Sequence, residues 1–248
     1  MGIKDIFRKK ETPPVCSAVI VAAGSAQRMG ADKVMMELGC MPVLARTLLV
    51  FQNCDAVDEI IVVTRMEKVT EVAALCQKYG ISKASKVVRG GKTRMESVLA
   101  GVSEVKSGAR LIAIHDGARP LITEELIKST VLAAGEYMAA APAIRSTDTL
   151  KAVDENGVVT GTVDRERTLR IQTPQIFNAD LIKGALTKAV SDGLTLTDDC
   201  AAIEIMGVRT HTVPGDEDNI KLTTPRDMEF AEVILRSRGD YSADRTRL

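Results

Sequence analysis

A regular alternation of apolar, strand-length segments with helical patterns constrains the fold of this chain most. Residues 16–23, Cys16-Ser-Ala-Val-Ile-Val-Ala-Ala23, are almost all apolar, which is typical of a strand buried on both faces of a parallel sheet. Strand and helix patterns then alternate at 42–53, 59–64, 66–79, 85–89, 93–105, 110–115 and 123–138. This spacing predicts an α/β fold with a doubly wound, mostly parallel sheet that is covered by helices.

The length and composition fit one globular domain. The chain has 248 residues, of which 45% are hydrophobic and 27% are charged, and this is enough to bury a core without disulfides or metals. We predict a single domain over residues 15–238. The polar stretches 1–14 and 239–248 are expected to be loose termini.

The balance of residue types excludes several partners. Lys+Arg and Asp+Glu both total 33, so the chain lacks the positive surplus that non-specific binding to nucleic acid or to an anionic membrane requires. Aromatic residues make up only 3% and Trp is absent, which argues against a base-stacking platform. No apolar run approaches the roughly 20 residues of a membrane span. We therefore expect no nucleic-acid partner and no membrane partner.

The cysteines and the first residues indicate a reducing compartment. Five cysteines are scattered along the chain without metal-site spacing, which predicts free thiols. Residues 1–14 are polar and lack the apolar segment of a signal peptide. We expect a cytoplasmic protein.

The stretch 143–172 interrupts the alternation. It carries β-type residues, several charges and the hairpin signal Asp154-Glu-Asn-Gly157. We interpret it as an arm of two strands that projects from the main sheet. Because an isolated two-stranded ribbon is only marginally stable, the arm is expected to pack on a partner subunit and so to make a homodimer. After it, helical patterns return at 179–190, 198–206 and 225–236, and a strand pattern lies at 208–213.

The loop after the first strand could approach a ligand closely. Residues 22–30, Ala-Ala-Gly-Ser-Ala-Gln-Arg-Met-Gly, are mostly small, and Arg28 and Lys33 add positive charge. Neither G-x-G-x-x-G nor G-x-x-x-x-G-K-[ST] occurs here, so the loop is not a dinucleotide-binding fingerprint or a P-loop. On its own it could also be a plain strand-to-helix connection.

Two more loops follow predicted strands. Residues 90–97 place a Gly-Gly turn before a helix whose N-terminus favours anions, with Ser97 just inside it; the alternative is a turn with a simple cap. Residues 115–120 offer Asp116 as an oxygen ligand for a divalent cation and Arg119 as a phosphate ligand, or else a structural salt bridge between the two. With only two histidines in the chain, a Ser-His-Asp triad is disfavoured.

The later polar positions are weak signals individually, since caps and surface charges would explain them. They lie in the segments 162–165 and 172–175, at Thr197 in 196–200, and at Asp218 and Lys221 in 215–223.

Taken together, these segments resemble the 2-C-methyl-D-erythritol 4-phosphate cytidylyltransferases, CTP-using enzymes of the non-mevalonate isoprenoid pathway. The resemblance runs from about residue 17 to residue 235. Its anchors are Ala22-Ala-Gly24, Arg28-Met29, Lys33, Gly90-Gly91, Arg94, Ser97-Val98, His115-Asp116, Ala118-Arg-Pro120, Asp148-Thr149, Val163-Asp-Arg165, Thr173-Pro-Gln175, Thr197-Asp198 and Asp218-Asn-Ile-Lys221. The chain departs from the usual pattern at Ala26, Lys92 and Gly117, in the residues after Lys33, and in a shorter loop before it.

The resemblance implies a Rossmann-like nucleotidyltransferase fold with a protruding β-arm that builds the homodimer. It implies that the 4-phosphate of the sugar alcohol attacks the α-phosphorus of CTP and releases pyrophosphate, with Mg²⁺ or another divalent cation as cofactor. CTP and a sugar-alcohol phosphate are then the ligands.

The resemblance also implies residue roles. Catalytic positions are Arg28, Lys33, Asp116 and Lys221. Nucleotide-binding positions are Ala22, Ala23, Gly24, Gly90, Gly91 and Ser97. Acceptor-binding positions are Arg119, Thr149, Arg165, Thr197 and Lys221, of which Thr149 and Arg165 on the arm would serve the neighbouring subunit. Metal ligands would be Asp116 and Asp218.

Two alternatives remain open at this point. Ribitol-5-phosphate cytidylyltransferases share most of these motifs, so a pentitol phosphate could be the acceptor. A non-catalytic nucleotide-binding protein of the same fold would bind CTP without turnover. The simultaneous presence of Arg28, Lys33, Asp116 and Lys221 argues against the second alternative.

Overall fold

The structure is a computed structural model, and it describes residues 15–24 and 32–240. Its strands are β1 (Cys16–Val21), β2 (Glu37–Leu38), β3 (Met41–Pro42), β4 (Glu59–Thr64), β5 (Ala84–Arg89), β6 (Leu111–Asp116), β7 (Ala139–Arg145), β8 (Lys151–Val153), β9 (Val159–Thr162), β10 (Leu169–Ile171), β11 (Gln175–Asn178) and β12 (His211–Pro214). Its α-helices are α1 (Val43–Asn53), α2 (Val69–Lys78), α3 (Arg94–Ser103), α4 (Glu124–Tyr137), α5 (Ala179–Ser191), α6 (Cys200–Glu204) and α7 (Pro225–Ser237).

A mixed, mostly parallel sheet organises these elements. Its strand order is β10-β7-β11-β6-β1-β4-β5, with β12 added parallel to β7. The strands β6, β1, β4 and β5 are mutually parallel, whereas β11 runs antiparallel to β6. The predicted α/β class is therefore confirmed. In the described residues no helix combines the length and the apolar character that crossing a membrane would need.

The central strands are buried on both faces, as their continuous apolar character predicts. Alternate residues of β1 enter different clusters: Ala18 and Ile20 pack with α1, α2 and α4, whereas Val19 packs with α3, α5 and α6. This alternation follows from the two-residue period of a strand. A third, smaller cluster joins α7 to Leu121 and Leu222, which lie in loops beyond the sheet edge.

The structure adds two strands to the sheet that the sequence patterns did not predict. α4 ends at Met138, whose φ of 69° turns the chain at once into β7. β11 then lies antiparallel between β6 and β7. β7 is rich in alanine and contains Pro142, so its sequence has little strand propensity. Pro142 is tolerated because it lies between the residues that pair with β11 and those that pair with β10.

The predicted hairpin is present within the segment 143–172. β8 and β9 pair with each other in a separate two-stranded sheet, and Gly157 in their turn has a φ of 79°. All residues of both strands are exposed. The two ends of the segment belong to the main sheet, because β10 pairs with the end of β7.

Helix α3 packs unusually close to the sheet. A Cβ atom added at Gly101 would lie 2.5 Å from methyl carbons of both Val19 and Val63. Only a glycine therefore permits this approach of the helix to β1 and β4. Gly184 in α5, by contrast, has no atom within 4 Å of such a Cβ.

His115 is fully buried at the end of β6 in a chain of hydrogen bonds. Its Nε2 lies 3.3 Å from the carbonyl oxygen of Arg119, which can only accept, so Nε2 carries the proton. Its Nδ1 then accepts from the hydroxyl of Thr173 at 3.0 Å, and this hydroxyl accepts from the backbone N–H of Asp116 at 3.2 Å. Burial lowers the pKa of His115 to about 3, so the ring is neutral at physiological pH.

The two helical glycines give the first prediction. We expect Gly101→Ala to destabilise the fold by about 1–3 kcal/mol, since the methyl group overpacks against two buried valines. Gly184→Ala is the matched control and is expected to stabilise by roughly 0.5–1 kcal/mol through helix propensity alone. Urea denaturation of both variants measures the difference, and shifts of the same sign would contradict the close packing.

Buried His115 gives the second prediction, on acid stability. The pKa of His115 is about 3 in the folded chain, whereas in the unfolded chain it has its ordinary value of 6.5. In the pH window between these two values, the unfolded chain binds a proton that the folded chain does not. The free energy of unfolding must therefore fall as pH is lowered through the window, by up to about 1.4 kcal/mol per pH unit. Urea denaturation between about pH 4.5 and 6.5, above most carboxyl titrations, measures this slope.

His115→Gln is expected to reduce that slope by up to about 1.4 kcal/mol per pH unit, the contribution of one proton, whatever its effect on stability at neutral pH. His211→Gln, which removes the chain's other histidine, keeps His115 and should keep the slope. An unchanged slope in His115→Gln would show that the buried ring is not the group that titrates.

Candidate active site

Three of the predicted loops meet at one edge of the sheet, where the parallel strands end. The backbone N–H of Ala22 donates to Val63 at 2.7 Å, that of Gly90 to Thr64 at 2.8 Å, and that of Gly117 to Val21 at 2.9 Å. These bonds extend the pairing of neighbouring strands beyond their ends. Ligands of open α/β sheets bind at this carboxyl edge.

Gly90 lies against the loop that follows β1. A Cβ atom added there would be 2.7 Å from the Cβ of Ala23 and 2.7 Å from the hydroxyl of Ser97. The Ser97 hydroxyl donates to the carbonyl of Thr93 at 2.8 Å and accepts from the N–H of Gly91 at 3.1 Å. Small residues and one buried serine therefore allow the loop at Gly90 to pack directly against the loop that follows β1.

A capping box closes the start of α3. Thr93 and Glu96 form it, and the Glu96 carboxylate accepts from the N–H groups of both Lys92 and Thr93. These two donors, which precede the first helical residue, are therefore not directed at a phosphate. The cap that the sequence offered as an alternative is present, and anion binding at this helix N-terminus stays a prediction.

Asp116, the last residue of β6, is the centre of a cluster of cations. Its Oδ2 lies 2.8 Å from the Lys221 ammonium and 3.6 Å from Nε of Arg119, and its Oδ1 lies 3.8 Å from Arg94. Burial by itself would raise the pKa of the Asp116 carboxyl, but these three charges outweigh burial and lower it to about 2. Asp116 is thus ionised at any physiological pH and does not exchange a proton.

Arg94 joins this cluster to helix α6. Its guanidinium makes two hydrogen bonds, of 2.8 and 2.7 Å, to the buried carboxylate of Asp199. Burial works against the charge of Arg94, yet Asp199 and Asp116 raise its pKa above the ordinary value. In the sequence, Arg94 stands out only as one of the residues that carry the family resemblance. Its partner Asp199 lies 105 residues away, so no local pattern predicts this pair.

The loop that carries Lys221 is tied to the turn that carries Arg119. The Arg119 guanidinium donates to the carbonyl of Asn219 at 2.6 Å, and the N–H of Leu222 donates to Ala118 at 2.9 Å. Nε of Arg119 is buried without a hydrogen-bond acceptor among the described residues. Lys221 remains 38% exposed while it contacts Asp116, so its ammonium can also reach an incoming anion.

Lys33 follows a residue that is tied to the same edge of the sheet. The neighbouring Asp32 is fixed by a 2.6 Å ion pair to Arg65, which directly follows β4, and Val34 is buried in the core. Lys33 between them is half-buried. Arg28, the other predicted triphosphate ligand, lies outside the described residues.

The remaining predicted residues are less central. Thr197 is exposed just before the Asp198–Asp199 pair that opens α6, and Thr149 and Arg165 are exposed on the segment around β8 and β9. Asp218 lies on the Lys221 loop, but its Oδ2 accepts from Arg238 at 2.9 Å. The Arg238 guanidinium is therefore hydrogen-bonded to one oxygen of the Asp218 carboxylate, which the sequence suggests as a metal ligand.

The described residues contain no cluster of three or more His, Cys, Asp or Glu side chains with the arrangement of a metal site. A magnesium ion needs less from the protein, because one or two carboxylates together with substrate phosphates often hold it. Asp116 fits that requirement, since the ion pair of its Oδ1 among the residues described is the long one of 3.8 Å to Arg94. Asp218 fits it less well because of Arg238.

Comparisons with known proteins agree with this geometry. The family model described as "IspD: 2-C-methyl-D-erythritol 4-phosphate cytidylyltransferase" matches residues 16–237. A protein of that name from Caldanaerobacter subterraneus is 42% identical over 224 residues, which are 89% of this chain and 98% of the relative. Another, from Halalkalibacterium halodurans, is 42% identical over 224 residues, 90% of this chain and 97% of the relative.

Solved structures show the same fold. The 4-diphosphocytidyl-2C-methyl-D-erythritol synthase of Anaerococcus prevotii superposes with a TM-score of 0.81 at 32% identity, covering 90% of this chain and 97% of the other. The 2-C-methyl-D-erythritol 4-phosphate cytidylyltransferase of Thermus thermophilus gives a TM-score of 0.72 at 27% identity, covering 88% and 98%. The Rossmann-like fold, the loops gathered at its carboxyl edge and a family match along 16–237 lead to one conclusion: this chain belongs to the 2-C-methyl-D-erythritol 4-phosphate cytidylyltransferase family.

Proposed function

We propose that this chain transfers the cytidylyl group of CTP to 2-C-methyl-D-erythritol 4-phosphate and releases pyrophosphate. The observation that carries the proposal is the ionised Asp116 with Lys221, Arg119 and Arg94 around it, at the same sheet edge as the small residues that pack around Gly90. This arrangement suits two anionic reactants of which one carries a base. The names of the relatives supply the identity of both substrates.

The reaction requires alignment and charge neutralisation rather than proton transfer. An oxygen of the acceptor phosphate forms a bond to the α-phosphorus of CTP, and the bond from that phosphorus to the β-phosphate oxygen breaks. The attacking oxygen is already anionic, so no general base is needed. This agrees with a neutral, buried His115 and with an Asp116 whose pKa is lowered to about 2. Orientation and preorganised cations then account for the acceleration.

The nucleotide half of the site is assigned to the small residues at the sheet edge. Cytosine and ribose would lie on the backbone of Ala22, Ala23 and Gly24 on one side and of Gly90, Gly91 and Ser97 on the other. The 2.7 Å that a Cβ at Gly90 would leave to Ala23 supports this, because the loops after β1 and β5 pack directly against each other there and so line one surface together. Hydrogen bonds from backbone groups at fixed distance would favour a pyrimidine over a larger purine.

The triphosphate would be held by Lys33 and Arg28. Asp116 would hold a Mg²⁺ ion, which would supply positive charge close to the triphosphate. We assign Asp116 to this role rather than Asp218, whose carboxylate is paired with Arg238.

The acceptor half is assigned to Lys221, Arg119 and Thr197. Lys221 and Arg119 contact Asp116 from one side, which fixes two cations where the acceptor phosphate must approach the α-phosphorus. Arg94 supports both halves because it belongs to α3 and contacts Asp199, next to the Thr197 loop.

Thr149 and Arg165 would contact the acceptor of a neighbouring subunit, which makes the homodimer part of the site. The arm, residues 143–172, supports this with apolar side chains that are largely exposed in the single chain. These are Val153, Val158, Val159, Leu169 and Ile171. A partner subunit would cover them.

The identity of the acceptor substrate distinguishes the proposed function from the ribitol-5-phosphate alternative, and this gives the third prediction. We expect pyrophosphate release from CTP with 2-C-methyl-D-erythritol 4-phosphate and Mg²⁺, and little with ribitol 5-phosphate. Lys33→Ala is the control: it should fold normally and lose on the order of 10²–10³ in rate, as expected for one preorganised cation. Preference for ribitol 5-phosphate would reassign the acceptor, and CTP binding without turnover would refute catalysis.

The shared arm gives the fourth prediction. Arg165→Ala and Lys33→Ala subunits should each be nearly inactive, but a mixture of the two should regain activity. A hybrid dimer would contain one site with both residues intact if Arg165 acts across the interface. Mass spectrometry of the mixture establishes subunit exchange. Exchange without any recovery would place Arg165 in the site of its own chain or outside it.

A further inference from the structure

Arg238, one residue beyond the end of helix α7, contacts two separate loops. Its Nη1 donates to the carbonyl of Leu121 at 2.9 Å. Its Nη2 donates to carboxylate oxygens of Asp218 at 2.9 Å and Asp216 at 3.2 Å. The side chain is only 25% exposed, so these contacts are sheltered from solvent. One guanidinium therefore joins the C-terminal helix to both loops.

These loops carry the cations of the acceptor half. Residues 116–121 include Asp116 and Arg119, and residues 216–222 include Lys221. The loops are joined directly by the bond from Arg119 to Asn219 and by the ion pair of 2.8 Å between Lys221 and Asp116. Any displacement of the second loop thus changes the distance between Lys221 and Asp116.

The second loop carries two acidic side chains that share one cation. The N–H of Asp218 donates to the carboxylate of Asp216 at 2.9 Å, so both residues belong to one turn. Both carboxylates accept from Nη2 of Arg238, so the two like charges lie close together and repel each other. Arg238 lies within 3.2 Å of both carboxylates and so compensates the repulsion.

The apolar face of α7 packs against the same two loops. Ala231 and Leu235 pack in one buried cluster with Leu121 and Leu222, which end the first and the second loop respectively. The helix therefore supports the two loops through apolar contacts, and Arg238 adds directional hydrogen bonds.

We propose that Arg238 is a positioning residue that holds Lys221 and Arg119 at the spacing the acceptor phosphate requires. It acts through Asp216, Asp218 and Leu121 and does not itself touch the substrate. This inference rests on the proposed function for its substrate, and it makes the C-terminal helix α7 a structural part of acceptor binding.

Steady-state kinetics of Arg238→Ala test this role. We expect the KM for 2-C-methyl-D-erythritol 4-phosphate to rise about tenfold or more, whereas the KM for CTP stays within about twofold, because only the acceptor loops lose a contact. Arg238→Lys should recover part of the loss, since one ammonium can satisfy the carboxylates but cannot also reach Leu121. Arg226→Ala is the matched control, as Arg226 stacks on Phe230 within α7, and it should leave both KM values unchanged.

Hydrogen exchange makes the test independent of turnover. In Arg238→Ala the amides of Asp218, Asn219, Ile220 and Leu222, all hydrogen-bonded in the structure, should exchange faster, while those of β1 and β6 keep their protection. If the wild-type chain failed to turn over this acceptor, the proposed function would fail, yet this result would still decide whether Arg238 orders the loop. A lower melting temperature with unchanged KM values and unchanged loop exchange would overturn the inference.

Discussion

The ionised carboxylate of Asp116 is the constraint on which the rest of the site depends. A buried charge at the end of β6 is unfavourable unless cations surround it, and Lys221, Arg119 and Arg94 provide that surrounding. Each cation comes from a different part of the chain, so the carboxylate gathers distant segments around one point. In the proposed function the same cations would also bind the two phosphorylated reactants, so fold stability and substrate binding would be linked through one group.

The neutral histidine beneath Asp116 has a supporting role. His115 could be mistaken for a general base because it precedes the central carboxylate in the chain. It is instead completely buried, and its hydrogen bonds to Thr173 and Arg119 connect β6 to the turn that follows. At the end of β6, His115 stays neutral and Asp116 stays ionised at physiological pH. Neither group exchanges a proton there, which agrees with a proposed reaction that needs no proton transfer.

Local patterns predicted the parts of the fold that depend on local physics. The continuous apolar runs of β1, β4 and β6 identified the parallel strands, and the small residues after β1 and β5 marked the edge at which ligands bind. β7 was not recognised because alanine and proline carry little strand propensity, and burial against neighbouring strands decides its state. The Arg94–Asp199 pair and the contacts of Arg238 were not predictable, because they join residues far apart in sequence.

The glycine contact between α3 and the sheet has a consequence for binding entropy. Gly101 lets the helix approach Val19 and Val63 more closely than any residue with a Cβ atom would allow, and an interior packed this densely resists displacement. The loop at Gly90 and Gly91 leads into this helix, so its backbone is anchored to the packed core. In the proposed function the entropy lost in ordering that surface would belong to folding, and CTP would bind a site that is already ordered.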